Sequence, residues 1–360
     1  MNEAPISVLV VDDSKVAQLL LVHILESDPQ ILVAGTADSG RDALDFITVC
    51  RPDVVLMDIH MPEMDGFETA RRIMETRPLP IVVCSAVTSP EDVATTFRVM
   101  EAGALACVAK PAGPEHPDYP QMATTIRQTV RLMSEVKVVR RWARTGAGPA
   151  KRPLPARRAE VLSVPPQTGV IGIGASTGGP QVLQDILSTL PKDFAVPILI
   201  VQHIARGFLP GLVEWLGQTS GFHVEIAANG VTTLPGRVYF APDDLHMGIR
   251  GNRRIVLTND APIDGMRPAV AYLFRTLAEG YGPAAIGVLL TGMGKDGAKE
   301  LKLMRDSGAV TVAQDRESSV VHGMPGEAIR LGAATHIWPA DKIAEGLVAA
   351  VSHGSDRGES

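Results

Sequence analysis

The chain has 360 residues, 45% of them hydrophobic and 21% charged, with a formal net charge of −6. That length suits two domains with real cores, and the slight acidic excess gives no global pull toward nucleic acid or anionic lipid. Three cysteines, Cys50, Cys84 and Cys107, fit neither a disulfide framework nor a zinc site, so reduced thiols in a cytoplasmic protein are expected. The opening run MNEAPISVLVVDDS lacks the basic start of a signal peptide, and two aspartates interrupt its apolar stretch. No apolar run reaches membrane-spanning length, so no direct membrane insertion is expected.

Short β-branched runs recur in the first third at Ser7–Val11, Ile31–Thr36, Asp53–Met57, Ile81–Cys84 and Leu105–Ala109. Helical patterns such as Val16–Leu25 and Gly66–Met74 lie between them. Five such βα units predict a parallel sheet with helices on both faces. Ligands of these sheets gather at the carboxyl ends of the strands.

Those ends carry chemistry. The first run leads into Asp12–Asp13, the third into Asp58, the fourth into Ser85 and the fifth into Lys110. Three crowded carboxylates repel unless a cation sits among them. Oxygen ligands with open positions suit Mg²⁺, which also partners phosphate. Lys110 and the Ser85 hydroxyl could hold phosphoryl oxygens on Asp58. VLVVDDS, VVLMDIHMPEMDG, VVCSA and VAKP, in that order, resemble the receiver domains of bacterial response regulators over about residues 6–142. The resemblance implies a flavodoxin-like (βα)5 fold and transient phosphorylation of Asp58 by a histidine kinase. It also implies Mg²⁺ held by Asp12, Asp13 and Asp58. Cys107 stands three residues before Lys110, where that family usually places a switching Tyr or Phe.

The next pattern is an amphipathic helix over Gln121–Trp142, with Met122, Ile126, Val130 and Met133 on one face. Residues 143–168 are rich in Pro, Gly, Ala and Arg without periodicity and read as a linker. From Lys137 to Glu160 there are eight Lys/Arg and a single acid, which suits a solvated tether or a strip for an acidic partner.

Alternation resumes at Gly169. Strand-like runs are Val170–Gly174, Ile198–Gln202, Arg237–Phe240, Ile286–Thr291, Ala309–Ala313 and His336–Trp338. Helical patterns cover Pro180–Leu190, Arg267–Leu277, Ala298–Ser307 and Ile343–Val351. A Gly251–Asn252 turn inside the alternating segment His246–Leu257 signals a hairpin. The expected second domain, residues 169–353, is a three-layer α/β/α fold with a mostly parallel sheet and an antiparallel hairpin.

The run VIGIGASTGGP is strand, glycine-rich turn and helix start, with Ser176 in the turn. A dinucleotide loop is one reading, but Thr177 occupies the third glycine position and Gln202–His203 stands where an acid should hold ribose. A purely structural turn is another. The G-x-S-x-G at Gly174–Gly178 favours a nucleophile turn, beside a helix N-terminus that suits developing negative charge. Serine needs a base, and His203 ends the very next strand. The base needs an orienting carboxylate. Asp296 supplies one from GMGKDG, a second glycine-rich strand-to-helix turn whose N–H groups could also meet an oxyanion. His322, His336 and His353 follow no convincing acid loop. His246 could support the site from behind, and His223 reads as an ordinary strand residue.

GIGASTGGP, VQHIARGF, YFAPDDLHM, LLTGMGKDGA and QDRESSVVHGMP resemble the chemotaxis protein-glutamate methylesterase (CheB) family over residues 169–350. The resemblance implies Ser176 as nucleophile, His203 as base and Asp296 as orienting acid. It assigns Thr177 to the active-site loop and the Met293 N–H to the oxyanion hole, with no cofactor in the hydrolase site. Its substrates are γ-glutamyl methyl esters on the cytoplasmic helices of methylated chemoreceptors, and many members also deamidate receptor glutamines. Gly326, often Lys in the family, and the linker depart from the pattern. The expected regulation has the unphosphorylated receiver packed over the Ser176 loop, with phosphorylation of Asp58 loosening it. The alternatives are an esterase of a non-chemotactic signalling array and a non-enzymatic phosphate sink or adaptor. A DNA-binding output has no helix-turn-helix or basic recognition face to support it.

Overall fold

The chain is described from a computed structural model, which covers residues 4–85, 97, 99–136, 138, 168–250 and 252–355. It divides into two units, Met1–Gly148 and Pro149–Ser360. The expected linker at 143–168 lies outside the described residues except for Thr168.

In the first unit the β-branched runs become β1 (Ile6–Val11), β2 (Ile31–Ala37), β3 (Val54–Met57), β4 (Ile81–Ser85) and β5 (Ala106–Ala109). They pair in parallel in the order β2-β1-β3-β4-β5. Strands covered on both faces must be apolar throughout, and β3 and β4 are buried along their whole length. Helices α1 (Lys15–Glu26), α2 (Gly40–Val49) and α3 (Gly66–Thr76) start at Ser14, Ser39 and Asp65. Each of these side chains accepts an otherwise unpaired N–H of the first turn.

Helix α4 spans Tyr119–Ser134, and of the expected Gln121–Trp142 residues 137 and 139–142 lie outside the described residues. Its last turn tightens as the Glu135 N–H bonds to the Leu132 and Met133 carbonyls. The β-branched Val136, Val138 and Val139 next in sequence disfavour helix. Ile126, Val130 and Met133 face the core as expected, joined by Ala123 rather than Met122.

The second unit holds β6 (Val170–Ala175), β7 (Ile198–Gln202), β8 (His223–Ile226), β9 (Arg237–Phe240), β10 (His246–Ile249), β11 (Ile255–Thr258), β12 (Ala285–Leu289), β13 (Val310–Gln314) and β14 (His336–Trp338). Seven of them form one parallel sheet in the order β14-β13-β12-β6-β7-β9-β8. The sequence pattern places only His223 of β8 in a strand. Helices α5 (Gly179–Thr189), α6 (Leu209–Ser220), α7 (Val270–Tyr281), α8 (Ala298–Asp306), α9 (Met324–Arg330) and α10 (Ala340–Ser355) cover the sheet. The chain steps one way from β6 to β7 and the opposite way from β12 to β13. Right-handed crossovers therefore put α5 and α8 on opposite faces. The crevice of such a sheet opens where the direction reverses, between the ends of β6 and β12.

Two expected elements differ in detail. The helix expected at Arg267 starts at Val270, after an extended Ala269. Pro268 biases its predecessor away from helical geometry. The hairpin pairs β10 with β11, but Arg250 and Arg254 close a longer loop than the expected Gly251–Asn252 turn. Arg253 takes the left-handed backbone, at φ 61°, and Gly251 lies outside the described residues.

Helix α7 lies against β6 closely enough that a Cβ on Gly172 would stand 2.3 Å from Leu277 Cδ1. Gly172→Val is therefore expected to cost about 1–3 kcal/mol through overpacking, with part recovered in the Gly172→Val/Leu277→Ala double variant. Urea unfolding followed by tryptophan fluorescence measures it, since Trp215 and Trp338 both belong to this unit.

Candidate active site and acidic pocket

In the first unit Asp12 follows β1, Asp58 follows β3, Ser85 closes β4 and Lys110 follows β5. Parallel pairing brings these ends together. Asp12, Asp13 and Asp58 each offer a carboxylate oxygen, and the three lie within 4.8 Å of one another. Asp12, Asp58 and Ser85 are buried, and Asp13 is exposed. Lys110 Nζ stands 2.6 Å from Asp12 Oδ2 and 2.8 Å from Asp58 Oδ2. The Ile59 N–H donates to Asp58 Oδ1 at 2.7 Å, and the Ser14 N–H to Asp12 Oδ1 at 2.9 Å.

Burial raises the Asp12 carboxyl above its ordinary range, against the lowering effect of Lys110 and the Ser14 N–H. Burial opposes the charge on Lys110, yet its hydrogen bonds to Asp12 and Asp58 leave its pKa raised. Asp12 Oδ2 is sealed from solvent and paired with Lys110 Nζ at 2.6 Å. Three carboxylates offering oxygens within 4.8 Å of one another are a donor set that fits a hard divalent cation such as Mg²⁺. Cys107 lies opposite Val83 in the β4–β5 ladder, and burial pushes its thiol well up.

The second unit assembles a serine, a histidine and a carboxylate at its crevice. Ala175 and Gln202 are register partners at the ends of β6 and β7. Ser176 and His203 are the next residues after these paired strand ends. The His203 N–H bonds to Ala175 O at 2.9 Å. Gln202 Nε2 donates to Ser176 O and to His203 O, each at 2.8 Å, tying the two turns together.

Asp296 precedes α8 in the loop after β12, with its side chain 6% exposed. Its Oδ2 accepts the Val270 N–H at 2.7 Å and its Oδ1 the Ala271 N–H at 2.9 Å. The carboxylate thus meets the positive end of α7. His203 Nε2 stands 2.9 Å from the same Oδ2. The two are close without forming an aligned hydrogen bond, as is common in catalytic pairs before substrate binds. A cleft of about 170 Å³ opens beside His203, lined in part by Arg206, Asp243, Met266 and Arg267.

The Met293 peptide is fixed from behind. Gly292 O accepts the Gly323 N–H at 3.1 Å and the Met324 N–H at 2.9 Å. In a planar trans peptide the N–H points opposite to the carbonyl. The Met293 N–H therefore points away from the 323–324 segment, and no backbone acceptor takes it among the described residues.

Sequence reasoning missed the buried network that binds these loops. Thr291 Oγ1 lies 2.9 Å from Thr177 O and 3.2 Å from Val321 O, and accepts the Val321 N–H at 2.9 Å. Gln314 Oε1 receives the Thr291 N–H, and its Nε2 reaches Ser318 O. Ser318 in turn bonds Asp315. The available signal was a polar residue, Thr291 or Gln314, closing an otherwise apolar run. Among the other histidines, His322 lies near Ser319 Oγ at 3.4 Å, and His336 stacks on Trp338. Exposed His223 contacts Arg237 at the far edge of the sheet.

An acidic pocket with a paired lysine in one unit, and a serine, a histidine and an aspartate at neighbouring strand ends in the other, fit a response regulator with a hydrolase as its output. Residues 8–116 match the family model for the response regulator receiver domain, and residues 171–347 that for CheB methylesterase. A protein-glutamate methylesterase/protein-glutamine glutaminase of Nitrosospira multiformis is 52% identical over 355 residues, 98% of each chain. One from Syntrophus aciditrophicus is 50% identical over 345 residues, 95% of this chain and 97% of its own. The Thermotoga maritima CheB methylesterase catalytic domain, a crystal structure, is 40% identical over 51% of this chain and 98% of its own, with a TM-score of 0.49. The chain belongs to the CheB methylesterase family.

Each pocket carries an expected outcome. The raised Asp12 pKa favours the protonated carboxyl, so its contribution to stability is lost as pH rises through the folded value. Mg²⁺ should offset that loss, and its thermal stabilisation of the first unit is expected to be larger at about pH 7.5 than at about pH 5. Calorimetry at the two pH values checks it. A Cβ on Gly323 would stand 2.8 Å from Gly292 O and 2.9 Å from Gly294 N. Gly323→Ala should therefore turn the Met293 peptide and lower kcat for ester release by roughly 10²-fold, with KM little changed. Steady-state kinetics, with circular dichroism to confirm folding, checks that.

Proposed function

We propose that this chain is a phosphorylation-activated protein-glutamate methylesterase that hydrolyses γ-glutamyl methyl esters on chemoreceptors and deamidates receptor glutamines. The observation that carries the reading is Ser176 and His203 at successive ends of paired strands, with Asp296 2.9 Å behind the imidazole. With Nε2 toward Asp296, His203 Nδ1 takes the Ser176 proton as Oγ attacks the ester carbonyl. The Met293 N–H meets the developing oxyanion, and Thr177 shapes the loop beside it. Collapse of the tetrahedral intermediate expels methoxide, which leaves as methanol with the proton from His203. Water, deprotonated by the same imidazole, attacks the acyl-enzyme, and Ser176 regains its proton as the glutamate carboxylate departs. From a glutamine side chain the leaving group is ammonia. Each ester cleaved adds one negative charge to a receptor helix, which changes repulsion within the helix bundle.

Asp58 is the phosphoryl acceptor, supplied by a histidine kinase in the cytoplasm. Bound at Asp12, Asp13 and Asp58, Mg²⁺ would neutralise charge on the transferring group. Ser85 and Lys110 hold the phosphoryl oxygens. The working division is a receiver over 1–142, a basic tether over 143–168 and the esterase over 169–353. Phosphorylation of Asp58 shifts the chain from a less active to a more active state. A few kcal/mol of differential stability is enough to shift two states about 100-fold. Among the described residues no helix is long and apolar enough to cross a membrane, which suits a partner-borne link to receptors.

The test is ester release from methylated receptor by the full chain, with and without a small phosphodonor and Mg²⁺. Ser176→Ala is expected to abolish release, and Asp296→Asn to lower kcat by roughly 10³–10⁴-fold. Asp58→Ala should keep basal activity and lose the stimulation. Full activity in Ser176→Ala defeats the chemistry, and no response to phosphodonor in the unsubstituted chain defeats the regulation.

A further inference from the structure

Behind the crevice lies a histidine to which the proposed reaction gives no task. His246 opens β10 and is 0% exposed. Its ring stacks on Tyr272 of α7, with centroids 4.8 Å apart and planes 11° apart. Nδ1 accepts the Ala269 N–H at 3.2 Å, and Nε2 lies 3.2 Å from Ala261 O. An amide N–H only donates and a carbonyl oxygen only accepts. One tautomer alone satisfies both contacts, with Nδ1 bare and Nε2 protonated. The ring is a neutral strut between the loop at Ala261 and the residue that begins α7.

Ala269 is the N-cap of α7, and this helix has no side-chain cap hydrogen bond of its own. The next two amides, Val270 and Ala271, are the donors that fix both oxygens of Asp296. A shift of the first turn moves those donors and turns the carboxylate away from His203. Arg267 Nη1 makes a separate tie to Asn259 O and Asp260 O of the same loop. Among the described residues only the imidazole reaches the Ala269 amide itself.

We propose that His246 is a positioning residue for the hydrolase: by holding the Ala269 amide, it sets the α7 N-terminus that aims Asp296 at His203. This rests on the serine-hydrolase reading of the site. His246 is fully buried and acts through the helix, without touching substrate.

The experiment uses the full chain and three substitutions. His246→Phe keeps an aromatic stack on Tyr272 and removes both polar contacts. His246→Asn returns an acceptor near the Nδ1 position, whereas His246→Gln returns a donor near the Nε2 position and no acceptor for Ala269. Readouts are kcat and KM for ester release from methylated receptor, the rate of Ser176 labelling by a fluorophosphonate probe, and Tm. His246→Phe and His246→Gln are expected to lose roughly 10–100-fold in kcat and in labelling rate, with KM within about twofold, and His246→Asn to recover most of the loss. The idea is overturned if folded His246→Phe or His246→Gln turns over like the unsubstituted chain. It is equally overturned if His246→Asn is as impaired as His246→Gln, because loss of the Ala269 acceptor is then not the cause. Should His246→Phe fail to fold, the Asn and Gln pair decides alone. Failure of the underlying reading looks different: the unsubstituted chain would resist the probe, or Ser176→Ala would keep its activity.

Discussion

A single carboxylate oxygen organises the catalytic end of this molecule. Asp296 Oδ2 accepts the Val270 N–H and stands 2.9 Å from His203 Nε2. A buried carboxylate is costly unless its charge is met by donors or a counter-charge. Here two amides at a helix start meet it, and the imidazole completes its surroundings. The same interaction therefore satisfies a folding requirement and a chemical one. It joins the β12–α8 loop to α7 and brings the His203 ring against the same carboxylate.

Around that contact the crevice is held by polar groups with few free choices. Gln202 bridges Ser176 O and His203 O. Thr291 joins the serine loop to Val321, and Gln314 and Ser318 lock Thr291 in turn. Satisfied buried networks of this kind are rigid, because breaking one member strands the others in a low-dielectric interior. Rigidity suits a hydrolase that relies on preorganised donors and not on rearrangement during the reaction.

Both units place their chemistry by one topological rule. In a parallel sheet every strand delivers its next residue to the same edge, so residues far apart in sequence meet there. Asp12, Asp58, Ser85 and Lys110 converge in this way in the first unit, and Ser176, His203 and Asp296 in the second. The outcomes differ because the side chains differ. The first edge gathers carboxylates around one lysine, whereas the second brings a serine and an imidazole backed by a carboxylate.

Much of this was legible from the chain alone. The apolar β-branched runs fixed the parallel strands, since only strands covered on both faces read that way. The residue after each run then named the candidate sites, Asp58 and Ser176 among them. Helix ends were less legible: α4 stops at Ser134 and α7 starts at Val270, because valine propensity and Pro268 act locally against longer apolar patterns. What the sequence could not supply was partnership. Nothing local to Asp296 reveals that it accepts the first amides of α7, nothing local to His246 reveals that it holds Ala269, and nothing local to Thr291 reveals its bonds to Thr177 and Val321. Periodicity reports which face of an element is buried. Which buried polar group meets which is decided only when strands and helices distant in the chain are packed together.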